Sequence, residues 1–490
     1  MVARLDSLKK ERIAKLKTLS NLGIDPYPPR SPKHLSISQA REKEGSRVTV
    51  LGRIIAWRSH GGMTFADLKD GSGRIQLAFF LDDLGEEQYR RLSLLDIGDF
   101  LASWGTVFKT KRGETTLRIS KWQILAKSLR PLPDKWRGLQ DVELRSRKRY
   151  LDLLANDFTV KTFIIRSKVI TTMRQILDDE GFLEVETPTL QPVYGGASAQ
   201  PFITRHNALN NDLYLKISDE LYLKRLIIGG LDKVYEIDHN FRNEGIDKSH
   251  NPEFTLMECY WAYADYLDMM RLTEKIYSQI AKKVLGTTKV TFGKQEIDFK
   301  APWPRLSMFE AIKQYLGWDA NKISDRDLKN KLKKKGTRLV GSYNRGLAIA
   351  DLFQEVEPHL IGPIFITDYP KETTSLCKLK PENQDLIERF EPYIAGFEVG
   401  NAYSELNDPL LQRQFFEEQV KAREAGDKEA PPMDEDFLEA LEHGMPPTGG
   451  LGLAIDRMVM LFSGQENIRD VILFPTLKPE KQKQISLKRK

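Results

Sequence analysis

The sequence predicts an α+β protein in which a small β-barrel precedes a larger domain of mixed strands and helices. From about residue 142, strands and helices follow one another without strict β-α-β alternation, which favours an α+β arrangement. The chain of 490 residues has room for roughly two to four domains, which agrees with this division. Before that point, five short β-rich runs lie within about 80 residues and are separated by glycine-containing turns, as in a small barrel: residues 47–57, 63–70, 74–80, 100–110 and 115–127.

The first element is a helix over residues 6–20, followed by a proline-rich linker at 26–32. Leu8, Ile13, Leu16 and Leu19 lie along one side, and basic residues, Arg12 among them, fill the rest. Residues 1–20 carry a charge of +4 and residues 477–490 carry +5, whereas the whole chain carries only +6. Basic ends favour an anionic partner such as nucleic acid, and solvated termini without a partner are an equally open alternative.

The composition excludes several classes of protein. The sequence contains no run of eighteen apolar residues, so no transmembrane helix is predicted, and the N-terminus lacks the apolar core of a signal peptide. Cys259 and Cys377 are too few for a disulfide framework or a four-thiolate zinc site, so we expect a cytoplasmic protein. The predicted boundaries are a basic helix and linker at 1–45, the barrel at 46–128, a hinge at 129–142, the larger domain at 143–476 and a basic tail at 477–490.

Residues 241–260, FRNEGIDKSHNPEFTLMECY, are predicted to form a strand, a loop and a second strand. Arg242 and Glu244 alternate, so both are expected on one face of the first strand. The second strand carries Phe254 and Glu258. An arginine suits a phosphate and an aromatic ring suits a base, although an ordinary hairpin with surface ion pairs has the same pattern.

Residues 390–408, FEPYIAGFEVGNAYSELND, contain two carboxylates that a hairpin would bring together. A turn at residues 394–395 pairs Glu391 with Glu398, and two carboxylates on one face can hold a hard cation such as Mg²⁺. Further on, Asn401, Tyr403 and Glu405 alternate onto one face. That face lines a pocket or is a solvated sheet edge.

Residues 449–462, GGLGLAIDRMVMLF, predict a strand that runs into an apolar helix with Arg457 at the junction. A buried arginine is costly unless it is paired or faces a ligand, so either a ligand site or a bridge to Asp456 is expected. The sequence has neither GxxxxGK[ST] nor GxGxxG, so any nucleotide is bound without the common glycine-rich loops.

These segments resemble the conserved motifs of the class II aminoacyl-tRNA synthetases. FRNEG…HNPEFTLMECY resembles motif 2, GGLGLAIDRMVML resembles motif 3, and GFLEVETPTL at 181–190 resembles motif 1. The barrel and PLPDKWRGLQDVELRSRKRYLDLL are similar to the subgroup for lysine, aspartate and asparagine, most of all to the bacterial lysyl-tRNA synthetases. The similarity runs from about residue 45 to 475.

The resemblance implies an antiparallel sheet flanked by helices, preceded by an OB-fold that binds the anticodon. It further implies a homodimer that uses Mg²⁺, makes lysyl-adenylate from L-lysine and ATP, and transfers the lysyl group to tRNA(Lys). The residues that it assigns are Arg242 and Arg457 for catalysis; Arg242, Glu244, His250, Asn251, Phe254 and Arg457 for ATP; Glu391 and Glu398 for the metal; Gly196, Glu220, Glu258, Tyr260, Asn401, Tyr403 and Glu405 for lysine; and Arg58, Phe65, Gln76 and Glu114 for the anticodon.

The substrate is expected to be decided at Glu405. The aspartate enzymes are expected to have an arginine there, and a carboxylate instead selects a cation. Three alternatives stay open: an enzyme for aspartate or asparagine, a paralogue that modifies a protein or only binds, and a Glu405 that bridges to a neighbouring lysine or arginine and never meets substrate. For Phe65 the alternative is a place in the barrel core. The positions that depart from the family pattern are Gln200, Ser218, Thr374, Ser375, Cys377 and Ala454.

Overall fold

The computed structural model describes residues 2–133, 139–335 and 343–479. The chain divides into two compact units, each described here by itself. The barrel unit comprises Met1–Asp141 with Tyr150–Ala155, and the larger unit comprises Val142–Arg149 with Asn156–Lys490. Part of the predicted hinge, residues 134–138, and most of the predicted basic tail, residues 480–490, lie outside the described residues.

Five strands close the predicted barrel in the order β1-β2-β3-β5-β4. All pairs are antiparallel except β3 with β5. The strands are β1 Arg47–His60, β2 Met63–Lys69, β3 Arg74–Phe80, β4 Phe100–Lys109 and β5 Thr115–Ala126, and the helices before residue 134 are α1 Val2–Asn21, α2 Ile37–Arg41 and α3 Leu81–Arg91. The five predicted β-rich runs are therefore confirmed, because alternating apolar residues fill the interior of the barrel.

The N-terminal helix corrects one expectation. Arg12 lies four residues after Leu8 and seven before Leu19, which places it on the buried side of the helix. It is only 8% exposed, and its guanidinium donates to the backbone oxygens of Ser128 and Arg130. Arg12 therefore anchors the helix within the barrel unit and is not part of its solvated basic surface.

The larger unit is built on a mostly antiparallel sheet whose main path runs β14-β15-β17-β19-β20-β11-β10-β6, with β16 and β18 paired to β17. Only β14–β15 and β10–β6 are parallel. Two smaller sheets in this unit have the orders β7-β9-β8 and β12-β13. The strands of the larger unit are β6 Leu183–Glu184, β7 Leu190–Gln191, β8 Ile203–His206, β9 Asn211–Leu215, β10 Lys233–Phe241, β11 Glu253–Ala262, β12 Lys289–Phe292, β13 Gln295–Asp298, β14 Arg305–Ser307, β15 Ile364–Pro370, β16 Leu379–Lys380, β17 Asn383–Ile394, β18 Phe397–Glu398, β19 Gly400–Ser404 and β20 Thr448–Ala454.

Helices flank this sheet, as the family resemblance implies. Apolar side chains of α6, α8 and α14 form one buried cluster with the sheet, and those of α7, α9, α11 and α13 form another. No helix among the described residues is long and apolar enough to cross a membrane. The helices that follow the barrel are α4 Val142–Arg147, α5 Arg149–Ala155, α6 Asp157–Asp179, α7 Glu220–Ile228, α8 Tyr266–Ile280, α9 Met308–Leu316, α10 Asp325–Lys335, α11 Arg345–Phe353, α12 Pro409–Glu424, α13 Glu435–Glu442, α14 Ile455–Ser463 and α15 Ile468–Val471.

Candidate active site

One cavity of about 410 Å³ in the larger unit brings together every site residue that the sequence predicts there. Its walls come from the β10–β11 hairpin, from β17, β19 and β20, and from the starts of α7 and α14. Segments that lie far apart in the chain meet because β11, β20 and β19 are neighbouring strands. The predicted residues that line it are Gly196, Glu220, Arg242, Glu244, His250, Asn251, Phe254, Glu258, Tyr260, Glu391, Glu398, Asn401, Tyr403, Glu405 and Arg457.

The β10–β11 hairpin forms as predicted, but its first strand is shorter. β10 ends at Phe241, opposite Glu253, so Arg242 and Glu244 lie in the loop beyond the strand. Both still face the cavity. The guanidinium carbon of Arg242 lies 5.1 Å from the ring centre of Phe254. Burial lowers the pKa of Arg242, and nearby carboxylates oppose the shift. The cation and the ring thus sit side by side in a desolvated wall.

The hairpin register at residues 391–398 differs from the prediction. Tyr393 faces Glu398 and Ile394 faces Phe397, so the turn is at Ala395–Gly396 and not one residue earlier. Both turn residues have positive φ, 55° and 84°, a conformation that suits Ala-Gly far better than the β-branched Ile394. Glu391 and Tyr393 are two residues apart on one strand face, so Glu391 and Glu398 are diagonal neighbours and still share a face.

These two carboxylates have different surroundings. Glu391 accepts hydrogen bonds from Tyr369, at 2.7 Å, and from Tyr393, at 2.8 Å, through the hydroxyl of each. Burial raises the pKa of Glu398, and the charge of Glu391 raises it further, against the opposing effect of nearby arginines. A buried carboxylate whose pKa is raised by a neighbouring carboxylate is suited to share a divalent cation with that neighbour.

Arg457 lies in the first turn of α14, at the junction that the sequence predicts. The alternative of a bridge to Asp456 is wrong. Asp456 instead pairs with Arg166 and accepts a hydrogen bond from the backbone N–H of Thr255. The Arg457 guanidinium donates to the backbone oxygen of Glu398 at 2.6 Å and contacts His250 Nε2 at 3.2 Å. Arg457 therefore borders the cavity beside the carboxylate pair.

The other end of the cavity is rich in carboxylates. Glu220, Glu258 and Glu405 are at most 5% exposed. Tyr403 donates through its hydroxyl to Glu220 at 2.6 Å, and Ser218 donates to Glu258 at 2.8 Å. Burial is the main cause that raises the pKa of Glu258 and of Glu405 well above the usual range. A pocket of this kind favours a cationic ligand.

The Glu405 side chain fits in this wall because residue 450 is a glycine and has no side chain. A Cβ at Gly450 would lie 1.9 Å from Glu405 Oε1 and 2.7 Å from a ring carbon of Tyr260.

The Ser218 that departs from the family pattern is the donor to Glu258, and Ala454 and Thr374, two other departures, line the cavity. Cys377 is buried next to Glu405 through an isolated β-bridge.

Sequence reasoning missed two residues of this site. Arg389 lines the cavity and donates to Asn401 at 2.8 Å and to Glu391. Lys224 is completely buried and pairs with both Glu220 and Glu405. For Lys224 a signal existed, because Glu220 and Lys224 are four residues apart in the helical segment ELYLK. Glu405 does therefore bridge to a lysine, as one open alternative held, but it also lines the cavity.

On the barrel, strand register places three of the four predicted anticodon residues together. Arg58 on β1 is directly opposite Phe65 on β2, and Gln76 on β3 is opposite Asp67, two residues beyond Phe65. Phe65 is half-buried and outside the barrel core cluster, so its alternative place in the core is wrong. Glu114 is exposed in the loop before β5.

A mostly antiparallel sheet that brings three arginines and six glutamates to one cavity, in a chain that also carries a five-stranded barrel, defines a class II tRNA synthetase. Residues 141–478 match the family described as tRNA synthetases class II (D, K and N), and residues 48–125 match the OB-fold nucleic acid binding domain. The resemblance drawn from the motifs is confirmed.

Individual relatives carry the name lysine–tRNA ligase. The protein from Clostridium novyi (strain NT) is 50% identical over 489 residues, 98% of this chain and 96% of that protein. Those from Moorella thermoacetica and Chloroflexus aurantiacus are 50% and 51% identical, each over 97% of this chain and 99% of the relative. This chain belongs to the lysine–tRNA ligase family of the class II tRNA synthetases.

Proposed function

We propose that the protein activates L-lysine with ATP and transfers the lysyl group to tRNA(Lys). The observation that carries this proposal is the cluster of three buried carboxylates, Glu220, Glu258 and Glu405, at one end of the cavity. Lysine has two ammonium groups, and buried ammonium groups need carboxylate partners. In this assignment Glu220 binds the α-ammonium, while Glu405 and Tyr260 bind the ε-ammonium.

The remaining lysine-binding roles follow the family resemblance. Asn401 lies near the substrate carboxylate, and Gly196 offers its backbone. A side chain at Gly196 would lie within 3.1 Å of both Ser218 and Glu220, which agrees with a tight backbone wall here. Tyr403 holds Glu220 in place through its hydroxyl, and Glu258 stands between the two ends.

ATP is proposed to bind along the arginine end of the cavity. A carboxylate oxygen of lysine attacks the α-phosphorus, the bond to pyrophosphate breaks, and lysyl-adenylate forms. Arg242 stabilises the negative charge that develops on the α-phosphate. Phe254 and Arg457 hold the adenine between them, His250 and Asn251 line the loop beside the nucleotide, and Glu244 binds the adenine edge.

Glu391 and Glu398 fit a magnesium ion, since both are carboxylates in one cavity wall and the pKa of Glu398 is raised by burial and by Glu391. Bound Mg²⁺ supplies neutralisation of phosphate charge. In the second half-reaction, a ribose hydroxyl of the terminal tRNA nucleotide attacks the carbonyl carbon of the adenylate, and AMP leaves. No side chain forms a covalent intermediate, so positioning and electrostatics supply the rate.

The tRNA is proposed to contact the barrel through Arg58, Phe65, Gln76 and Glu114. Phe65 is half-buried on the face that it shares with Arg58 and Gln76, where a base can stack. The basic ends are proposed to add contacts to RNA phosphates. Because Arg12 and Lys15 are already bonded within the barrel unit, other lysines of α1 supply those contacts.

The protein is proposed to be a cytoplasmic homodimer with the motif 1 segment at its interface. Large apolar side chains that are about half exposed occur within that segment and on the helix that precedes it, and a second copy would cover them: Leu183 on β6, Leu190 on β7, and Phe158 and Ile164 on α6. The cytoplasmic location agrees with two free, buried cysteines.

The deciding experiment is ATP–pyrophosphate exchange with each of the twenty amino acids. Only lysine is expected to support rapid exchange, followed by charging of tRNA(Lys) transcripts. If exchange depended on aspartate or asparagine instead, lysine would not be the substrate. Exchange with lysine but transfer only to protein would replace the proposed acceptor.

A further inference from the structure

Lys224 is a lysine of the protein itself, buried at the place where the substrate is expected to bring its own ammonium groups. It is 0% exposed and lies behind the cavity wall, one helical turn after Glu220 on α7. Its ammonium nitrogen is 2.6 Å from Glu220 Oε1 and is also paired with Glu405 Oε2. The two carboxylates assigned to opposite ends of the substrate therefore share one internal cation.

The surroundings hold Lys224 in this position. The ammonium lies 5.6 Å from the ring centre of Tyr403, and the hydroxyl of the same tyrosine donates to Glu220 Oε2. Burial alone would lower the pKa of Lys224, but Glu220 and Glu405 outweigh it and raise the pKa, so the ammonium stays charged. Lys224 is thus a fixed positive charge.

Glu405 keeps one oxygen for a ligand. Both carboxylate oxygens of Glu405 are buried without a hydrogen bond of regular geometry among the described residues, but Oε2 is ion-paired with Lys224, and Oε1 has no such ion pair there. This oxygen lies against Gly450, at a wall of the cavity. A buried acceptor without a partner is costly, and a donor on a ligand would remove that cost.

The charges in the pocket match lysine only if Lys224 is counted. When all three carboxylates are ionised, Glu220, Glu258 and Glu405 with Lys224 leave two negative charges, and the two ammonium groups of lysine balance them. Burial raises the pKa of Glu405, and the charge of Lys224 opposes that rise, so Lys224 favours the ionised state. Without Lys224, three carboxylates would lie together in a buried site, and such groups take up protons. A protonated Glu405 could not distinguish an ammonium group from a neutral side chain.

We infer that Lys224 is a positioning residue for amino-acid selection: it holds Glu405 Oε2 and Glu220 Oε1, so that Glu405 Oε1 is left as the acceptor for the side-chain ammonium of the substrate. This inference rests on the proposed activation of lysine. It makes selectivity depend on a residue that does not line the cavity. The other titratable groups around Lys224 and Glu405 are Glu258, Tyr260, Tyr403 and Cys377.

The test compares Lys224→Met and Lys224→Gln, which remove the charge, with Lys224→Arg, which keeps it. Lysine-dependent pyrophosphate exchange is measured between pH 7 and 8.5, with norleucine as the analogue that lacks the ammonium. At pH 7 the neutral variants should lose at least about tenfold in kcat/KM for lysine, mostly through KM, because Glu405 is then partly protonated. The loss should shrink as pH rises, the preference for lysine over norleucine should fall, and Lys224→Arg should retain more of that preference.

Lys216→Met is the matched control. Lys216 is also 0% exposed and also bridges carboxylates, those of Asp219, Glu236 and Asp238, but it does not line the cavity. Its variant should lose thermal stability without a change in the pH profile of KM or in norleucine discrimination. A parent enzyme that does not activate lysine would refute the proposed function itself. If the parent enzyme activates lysine but the neutral Lys224 variants keep its pH profile and its selectivity, the inference about Lys224 is overturned. Failure of both neutral variants to fold, while Lys216→Met folds, would overturn it too, by assigning Lys224 to stability.

Discussion

The substitution Glu405→Gln tests the residue that is predicted to choose lysine. The change keeps the shape of the side chain and removes its charge. Glu405 is 1% exposed, so its pair with a substrate ammonium would form away from water. Breaking one partner of such a buried pair costs about 3–5 kcal/mol. Since about 1.4 kcal/mol is a factor of ten, kcat/KM for lysine should fall by at least about a hundredfold.

Pyrophosphate exchange at saturating ATP, with lysine varied, measures this loss. The parent enzyme should reject norleucine by a large factor, about 10⁴-fold or more, because a site built for a polar group leaves its own groups unpaired with an analogue. In Glu405→Gln that discrimination should shrink, since the lysine rate falls much more than the norleucine rate. Glutamate and aspartate should remain excluded from the parent by repulsion from Glu405.

Glu236→Gln is the control for simple destabilisation. Glu236 is 3% exposed and paired with the buried Lys216, which matches the pairing of Glu405 with Lys224, but it does not line the cavity. Its variant should keep the parental affinity for lysine. If Glu405→Gln stayed within about threefold of the parent in both apparent affinity and turnover, which is less than 1 kcal/mol, Glu405 would not select the substrate.

Three further changes test other parts of the assignment. Phe65→Ala should weaken aminoacylation by about 1–3 kcal/mol, through lost base stacking, and leave pyrophosphate exchange intact; equal loss of both activities would indicate misfolding. Gly450→Ala should abolish lysine activation, because its Cβ would lie 1.9 Å from Glu405 Oε1, whereas Gly452→Ala, with no contact closer than 3.8 Å, should be far milder. Glu398→Gln should raise the Mg²⁺ concentration needed for half-maximal exchange, and an unchanged Mg²⁺ requirement would place the ion elsewhere.

The sequence by itself determined the parts that depend on local patterns. Five short β-rich runs, separated by glycine-containing turns, predicted the five barrel strands. The segments around Arg242, Glu391 and Arg457 indicated a nucleotide and metal site from residue chemistry alone. Their similarity to known motifs then gave the class, which the comparisons confirm.

The structure corrects the predicted position of one turn, and the residue types at the turn explain why. The hairpin beyond Glu391 turns at Ala395–Gly396 and not at Ile394–Ala395, because both turn positions need positive φ and glycine adopts it without strain. The sequence contains the information for this turn, so the correct register could have been predicted. The two carboxylates still share a face, because the strand pairing is shifted by two residues and strand side chains return to the same face every two residues.

Only the tertiary structure decided which charged groups meet. Asp456 pairs with Arg166 from α6 and not with its neighbour Arg457, and Arg12 is buried although it belongs to a basic helix. Lys224 reaches Glu405 because α7 packs behind the sheet where β19 ends. Such partners are far apart in the chain, and strand order and helix packing bring them together. A charge pattern read along one segment cannot show them.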